Sequence, residues 1–324
     1  MYVNFRVVHS DEALSEWAAW FRSVWPSYRQ WYLREGMLTR PSYLQCLQAV
    51  KHYMPAYFPL WEKLIAAVDG GDIEARFLSL YCPPAYQFGC SQAVWRGPNP
   101  ILVRNYDYDA QLIDAVVLHS DWQQRQVLGS SDCLVSLVDG INDAGLCLSL
   151  TFGGRPVVGE GFAMPMILRY LLQTCDSVSA AIASLRKIPT HMAYNVTLLD
   201  ASDQLATVHL APDRKPVISN TPVATNHQPG DKLAPHRWQT ATVERERYLL
   251  QQMIAHPETE QEFIDHFLRP PLYSFAFSRG RGTLFTAAYQ PRLRRLDYIW
   301  PHYQWRLALD QPQPQNIRVL YPSA

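Results

Sequence analysis

Residues 89–107 read GCSQAVWRGPNPILVRNYD, two short apolar runs on either side of Gly97-Pro98-Asn99-Pro100. Two prolines in the link remove backbone donors and forbid helix, so the link is a turn. Runs bounded in this way predict strands over 90–96 and 101–105. A link this short cannot hold a crossover helix, which makes the two strands antiparallel neighbours.

The same alternation continues on the C-terminal side. Strands are predicted near 115–119, 133–138 and 146–151, with Gly140-Ile141-Asn142-Asp143 as a connection. Helical periodicity follows over 162–172 and 176–187. Strands near 194–199 and 204–210 are joined by the turn Asp200-Ala201-Ser202-Asp203, and a short one falls near 221–225. Helices over 239–255 and 258–268 precede strands at 283–288, 293–298 and 304–309, and a proline- and glutamine-rich tail closes the chain. On the N-terminal side the first eighty or so residues predict helices. Trp17, Trp20, Phe21 and Val24 make one apolar stripe, with Ser10 as its expected N-cap. Pro41-Ser42 opens a second helix carrying Leu44, Leu47 and Val50; Trp61, Leu64, Ile65 and Val68 form a third stripe, stopped by Gly70-Gly71. Cys82-Pro83-Pro84-Ala85 cannot continue a helix. Strands grouped with strands and helices with helices imply an α+β layered domain.

At 324 residues the chain exceeds the ~150 of an average domain, and one large domain with an appendage fits as well as two domains. Apolar residues make up 48% of it, which excludes disorder for most of its length. Lys plus Arg and Asp plus Glu number 29 each, so no net field recruits nucleic acid or an anionic membrane. Nothing approaches a membrane-spanning apolar run, and Met1–Ser10 has no secretory pattern, so a reducing cytoplasm is the expected location. The six cysteines are accordingly expected as free thiols, and with no CxxC pair or HExxH helix neither a metal nor a cofactor is expected.

Cys90 is the most informative position. A cysteine there is either a small buried hydrophobe or a nucleophile. Gly89 has no side chain to hinder a thiol from approaching its carbonyl. The cluster Arg104-Asn105-Tyr106-Asp107-Tyr108-Asp109 follows Ile101-Leu102-Val103, so the end of one strand brings a guanidinium and a carboxylate beside the start of the other. Such a guanidinium favours thiolate over thiol, and the carboxylate can orient an amine. Tyr106 reads as wall and Asp109 as a solvated turn residue. Trp95, Phe152 and Tyr273 either line an acyl pocket or pack in the core. The run Gly280-Arg281-Gly282 lacks the strand-to-helix context of a nucleotide loop, and Asn195-Val196-Thr197 reads as strand.

Gly89-Cys90-Ser91, Arg104-Asn105-Tyr106-Asp107, Gly140-Ile141-Asn142-Asp143-Ala144-Gly145-Leu146 and Thr225-Asn226-His227 stand in the order of one known group. From about Met54 to Tyr289 the chain resembles the isopenicillin-N acyltransferase-like autoproteolytic hydrolases, and more distantly the bile-salt hydrolases and penicillin V acylases. These are N-terminal nucleophile hydrolases. The resemblance implies a four-layer αββα sandwich of antiparallel sheets with an N-terminal helical segment. It implies self-cleavage between Gly89 and Cys90, dividing the chain into residues 1–89 and a catalytic 90–324 that stay associated.

It also implies roles. Cys90 is the nucleophile, Asp107 holds its freed amine, and Arg104 lies against the sulfur. Asn226 and a main-chain N–H near Thr151 form the oxyanion hole, with Tyr106 and Phe152 nearby. A late arginine completes the site; Arg279 is slightly favoured over Arg281. Asn226 as an ordinary turn residue before Pro229-Gly230 is the alternative, and His227 reads as neighbouring structure. The substrate implied is a small-molecule amide or thioester. Two other readings remain: a processing-dead relative kept as a binding or scaffold protein, and a papain-like cysteine hydrolase using His209 or His227. The latter needs a helix under Cys90, where the pattern predicts strand.

Overall fold

A computed structural model of the chain describes residues 1–10, 14–86, 89–122, 125–231, 240–255, 259–310 and 316–322. The decisive hairpin is present as β2 (Gly89–Trp95) and β3 (Ile101–Tyr108), paired antiparallel with Cys90 opposite Tyr106 and Gln92 opposite Arg104. Two strands that frame the fold come from the ends of the chain: β1 (Tyr2–Ser10) and β16 (Asn316–Leu320). Between β3 and the C-terminus lie β4 (Val116–Ser120), β5 (Val127–Asp132), β6 (Ser136–Asn142), β7 (Cys147–Phe152), β8 (Tyr194–Leu199), β9 (Leu205–Ala211), β10 (Arg214–Ser219) and β11 (Val223–Ala224). Then come β12 (Phe275–Ala276), β13 (Arg281–Gln290), β14 (Arg295–Trp300) and β15 (Tyr303–Ala308).

The first sheet runs β10-β9-β8-β7-β6-β5-β4-β1-β16 and the second β11-β2-β3-β13-β14-β15, with β12 on β13. Among the described residues every pairing of these strands is antiparallel except β1 with β4. The helices are α1 (Ser15–Tyr32), α2 (Tyr43–Tyr53), α3 (Phe58–Ala67), α4 (Asp72–Ser79), α5 (Met164–Thr174), α6 (Val178–Leu185), α7 (Thr242–Ala255) and α8 (Glu260–Phe267). α5 and α6 lie on the first sheet, α7 and α8 on the second, and β2 packs on β7 and β8 across the middle. That is the expected four-layer αββα order.

Alternation along β2 and β3 sorts their side chains between layers. Cys90, Val94, Leu102 and Tyr106 join the main core between the sheets. Ala93, Ile101 and Val103 pack with Leu249, Phe263 and Phe267 under the helices α7 and α8. Gly140 lets α5 close on the first sheet, since a Cβ there would stand 2.7 Å from Leu172 Cδ1.

Several expectations need correction. Tyr2–Ser10 is strand, not helix, and Ser10 ends β1 instead of capping α1, whose N-cap is Leu14 with φ 53°. In α2, Ser42 does cap through Gln45, but Leu44 is exposed and Cys46, Ala49 and Val50 are the buried face. A helix, α4, follows Gly70-Gly71, where Glu74 accepts from the Gly71 N–H. Strands β5 and β10 were not anticipated; β5 ends in Gly129-Ser130-Ser131-Asp132, turn-type residues, and β10 carries Pro216, which its edge position tolerates. Gly140-Ile141-Asn142 belongs to β6, so the connection is shorter than expected. The expected helical starts at 239 and 258, and tail residues 311–315, lie outside the described residues. All six cysteines are free thiols, and none of the described helices is long and apolar enough to cross a membrane.

Candidate active site

Cys90 sits at the start of β2 with no exposed surface. Its sulfur faces the space between the sheets and its main chain faces α7, so the two halves of the residue meet different groups. On the sulfur side Arg104 Nη2 donates to Sγ at 2.8 Å. Arg104 is reached because it lies on β3 opposite Gln92, two residues along from Cys90 and on the same face. Its Nη1 donates to Asp139 Oδ2 at 2.6 Å and to the Val138 carbonyl at 2.9 Å. Asp139 in turn accepts from the Ser130 N–H at 3.2 Å and from the Tyr289 hydroxyl. Burial pulls the guanidinium pKa down, but the neighbouring Cys90 and Asp139 reverse this and raise it above its ordinary value.

Burial also acts on the thiol. It pushes the Cys90 pKa up to about 11, against the opposing pull of Arg104. With the chain uncut, the sulfur is therefore held protonated at neutral pH, with a cation already in place for the thiolate.

On the main-chain side the Cys90 N–H donates to Asn226 Oδ1 at 3.0 Å. Arg245 of α7 donates to the same oxygen at 2.9 Å and to Asp107 Oδ2 at 2.7 Å, and Thr283 donates to Asp107 Oδ1 at 2.6 Å. Two donors on one oxygen fix the Asn226 amide, whose Nδ2 points toward the Phe152 carbonyl at 3.4 Å. The loop carrying Asn226 is pinned by Asn195, which donates to the Thr225 and His227 carbonyls at 2.9 Å each and to Thr151 Oγ1 at 3.0 Å. Thr151 Oγ1 itself donates to the Thr225 carbonyl at 2.8 Å. Gly89 lies opposite Asp107, where a Cβ would come within 3.1 Å of the Asp107 Cβ.

The structure thus brings together Gly89, Cys90, Arg104, Asp107, Thr151 and Asn226. Tyr106 and Phe152 are buried around them; the Tyr106 ring lies 4.9 Å from Arg104 Cζ and 5.4 Å from the Phe285 ring. Asp107 reaches the Cys90 nitrogen through Arg245 and Asn226; the side chain that accepts directly from it is Asn226. Arg279 and Arg281 are exposed, in and beside the turn Phe277–Arg279, and the arginine buried against Asp107 and Asn226 is Arg245. His209 contacts Asn195 Oδ1 at 2.8 Å, and His227 contacts Thr242 Oγ1 at 2.9 Å and Glu246 at 3.1 Å; neither is a hydrogen-bond partner of Sγ among the described residues.

Sequence reasoning missed Arg245, Asp139, Asn195 and Thr283. Arg245 is hidden in Glu244-Arg245-Glu246-Arg247, which reads as a solvated face. Asp139 did leave a signal, a lone carboxylate inside Leu137-Val138-Asp139-Gly140, an otherwise apolar strand run.

A family model described as acyl-coenzyme A:6-aminopenicillanic acid acyl-transferase matches residues 95–305, starting just after Cys90. None of the curated proteins matches the chain in sequence. Among solved structures, a mutant conjugated bile acid hydrolase from Clostridium perfringens is 11% identical, covering 72% of this chain and 97% of that one at a TM-score of 0.46. Penicillin V acylase from Agrobacterium tumefaciens is 14% identical, with 68% and 87% covered and a TM-score of 0.45. The Caenorhabditis elegans ortholog of N-acylethanolamine-hydrolyzing acid amidase is also 14% identical, with 63% and 94% covered at 0.45.

Proposed function

The chain belongs to the acyl-coenzyme A:6-aminopenicillanic acid acyl-transferase family, and from that membership and the contacts of Cys90 we propose that it is a self-processing cysteine enzyme transferring or hydrolysing the acyl groups of small linear amides or thioesters. The observation that carries this is the double grip on residue 90: a guanidinium on the sulfur and a fixed amide oxygen on the nitrogen.

Processing comes first. Sγ adds to the Gly89 carbonyl carbon, the thiol proton passes to the Cys90 nitrogen, and the Gly89–Cys90 amide bond breaks. Gly89 becomes a thioester on sulfur and Cys90 gains a free amine. Water then hydrolyses the thioester, leaving a Gly89 carboxylate and the restored thiol. Residues 1–89 and 90–324 remain together, because β1 is paired inside the first sheet with β4 and β16.

Turnover uses the same two atoms. An α-amine has an unperturbed pKa of about 7.7–8.0, suited to a general base near neutrality. It takes the thiol proton, the sulfur attacks the acyl carbon with Arg104 alongside, and the proton passes on to the leaving amine of an amide or the leaving thiolate of a thioester. Water or an acceptor amine then releases the acyl group from sulfur. Asn226 Oδ1 positions the amine, and Arg245 ties that oxygen to Asp107. Asn226 Nδ2 and a main-chain N–H near Thr151 are the oxyanion donors, a kind of group whose loss typically costs ~10²–10³ in rate.

The test is release of amine from a panel of N-acyl amides, and of thiol from a panel of acyl thioesters, by wild type and Cys90→Ala. Turnover by wild type, abolished in the variant and by iodoacetamide at Cys90, is the expected result. No turnover of any member, as a scaffold protein would give, or equal turnover by both proteins, contradicts the proposal.

A further inference from the structure

Arg169 lies in the middle of α5 and is only 1% exposed. It points onto the helix side of the first sheet, away from Cys90. Gln173, one turn on, shares its face. Both donate to Ser120 Oγ at the end of β4, Arg169 Nη2 at 2.8 Å and Gln173 Nε2 at 3.1 Å. Trp122 lies against the guanidinium, its ring centre 3.8 Å from Cζ. Ser10, at the end of β1, is the strand partner of Ser120.

This group is poorly satisfied. Arg169 Nε and Nη1, Gln173 Oε1, Trp122 Nε1 and Ser10 Oγ are all buried without a hydrogen-bond partner. The other buried arginines each meet a carboxylate: Arg104 meets Asp139, Arg245 meets Asp107, Arg76 meets Asp72, and Arg40 meets Glu35. Among the described residues none is paired with Arg169. Burial draws its pKa down to about 9, so it is still a cation at neutral pH. An uncompensated buried charge is costly, and a cation–π contact offsets only part of that cost. Water can satisfy the N–H groups but not the charge.

We propose that Arg169, Trp122, Ser10 and Gln173 form a binding site for a small anion, a carboxylate or an inorganic anion, on the helix side of the first sheet. Arg169 Nε and Nη1 supply three N–H bonds, and Ser10 and Trp122 add one donor each. A half-turn of the Gln173 amide presents its Nε2 as well, while its Oε1 then accepts from the Ser120 hydroxyl. The site is independent of the chemistry at Cys90.

Thermal melts of the full chain test this at constant ionic strength, replacing sodium gluconate stepwise by formate, phosphate or bromide. A saturable rise in Tm of several degrees with a small anion, absent in Arg169→Met, is expected, because a ligand held only by the folded state stabilises it. Formate alone acting identifies a carboxylate site; bromide or phosphate acting identifies an inorganic one. If Arg169→Met does not fold, Trp122→Phe, which keeps the charge and loses one donor, is expected to raise the half-saturating concentration at least threefold. A wild-type Tm indifferent to anion identity, as a carboxylate of the chain itself in that place would make it, overturns the proposal. So does an equal rise in wild type and Arg169→Met, or an unshifted midpoint in Trp122→Phe.

Discussion

Arg104 divides its guanidinium between Asp139 and the Cys90 sulfur, which ties the reactivity of the thiol to a carboxylate that never touches it. Arg104→Gln keeps a donor of similar reach but removes the charge. It is expected to lower kcat/KM roughly 10–100-fold, the worth of a charge-assisted hydrogen bond of ~1.5–3 kcal/mol. The pH midpoint of Cys90 alkylation, read from rates of thiol labelling, should rise as well. An unchanged midpoint would show that the sulfur does not depend on Arg104. Arg245 plays the matching part on the nitrogen side. Arg245→Ala leaves Asp107 as a buried carboxylate without its cation, and breaking such a pair costs about 3–5 kcal/mol in urea unfolding. Conversion of the precursor should slow with it, because Asn226 loses the donor that fixes its amide.

β1 is the element that makes the segment ahead of Cys90 part of the same folded body. It pairs with β4 over Arg6–Ser10 and with β16 over Tyr2–Arg6, so removing it leaves two strands without their shared neighbour. The processed protein is therefore expected to run as one species in gel filtration and to release residues 1–89 only in denaturant. Separation of the pieces in plain buffer contradicts that. The strand was illegible because Tyr2–Ser10 sits far in sequence from both partners and precedes a long helical run, while its pairings form only once the chain ends meet. The hairpin carrying Cys90, by contrast, was legible apart from its ends, β3 running on to Tyr108: its partners are adjacent in sequence and its turn carries two prolines. β5 failed for a third reason, since Gly129-Ser130-Ser131-Asp132 has turn composition and is strand only because β4 and β6 flank it. At the site, residues next to Cys90 in the hairpin could be read, whereas Arg245, arriving from a charged helix far along the chain, could not.

Across the whole molecule, stability should carry the signature of a buried acid that opposes ionisation. Asp132 is buried, accepts from the Tyr86 hydroxyl at 2.6 Å, and lies near the Asp114 carboxyl and the Cys133 thiol. Burial, with Asp114 adding to it, raises its pKa from 3.8 to about 7. The folded chain therefore holds a proton that the unfolded chain has lost, and this contribution is complete below pH ~4 and disappears as the pH rises through ~7. Asp132→Asn keeps an acceptor for Tyr86 without that dependence. Its stability relative to wild type, from urea unfolding, should improve between pH 5 and pH 8 by at most about 3 kcal/mol, the ~2 pH units of that window below the folded pKa at ~1.4 kcal/mol each. A difference flat with pH contradicts the assignment. The central claim, that residue 90 frees its own nitrogen, is tested most directly by intact mass under denaturing conditions. Wild type is expected as two pieces of 89 and 235 residues (324 − 89 = 235), the larger beginning at Cys90, and Cys90→Ala as one chain of 324. A single full-length species from both proteins contradicts it.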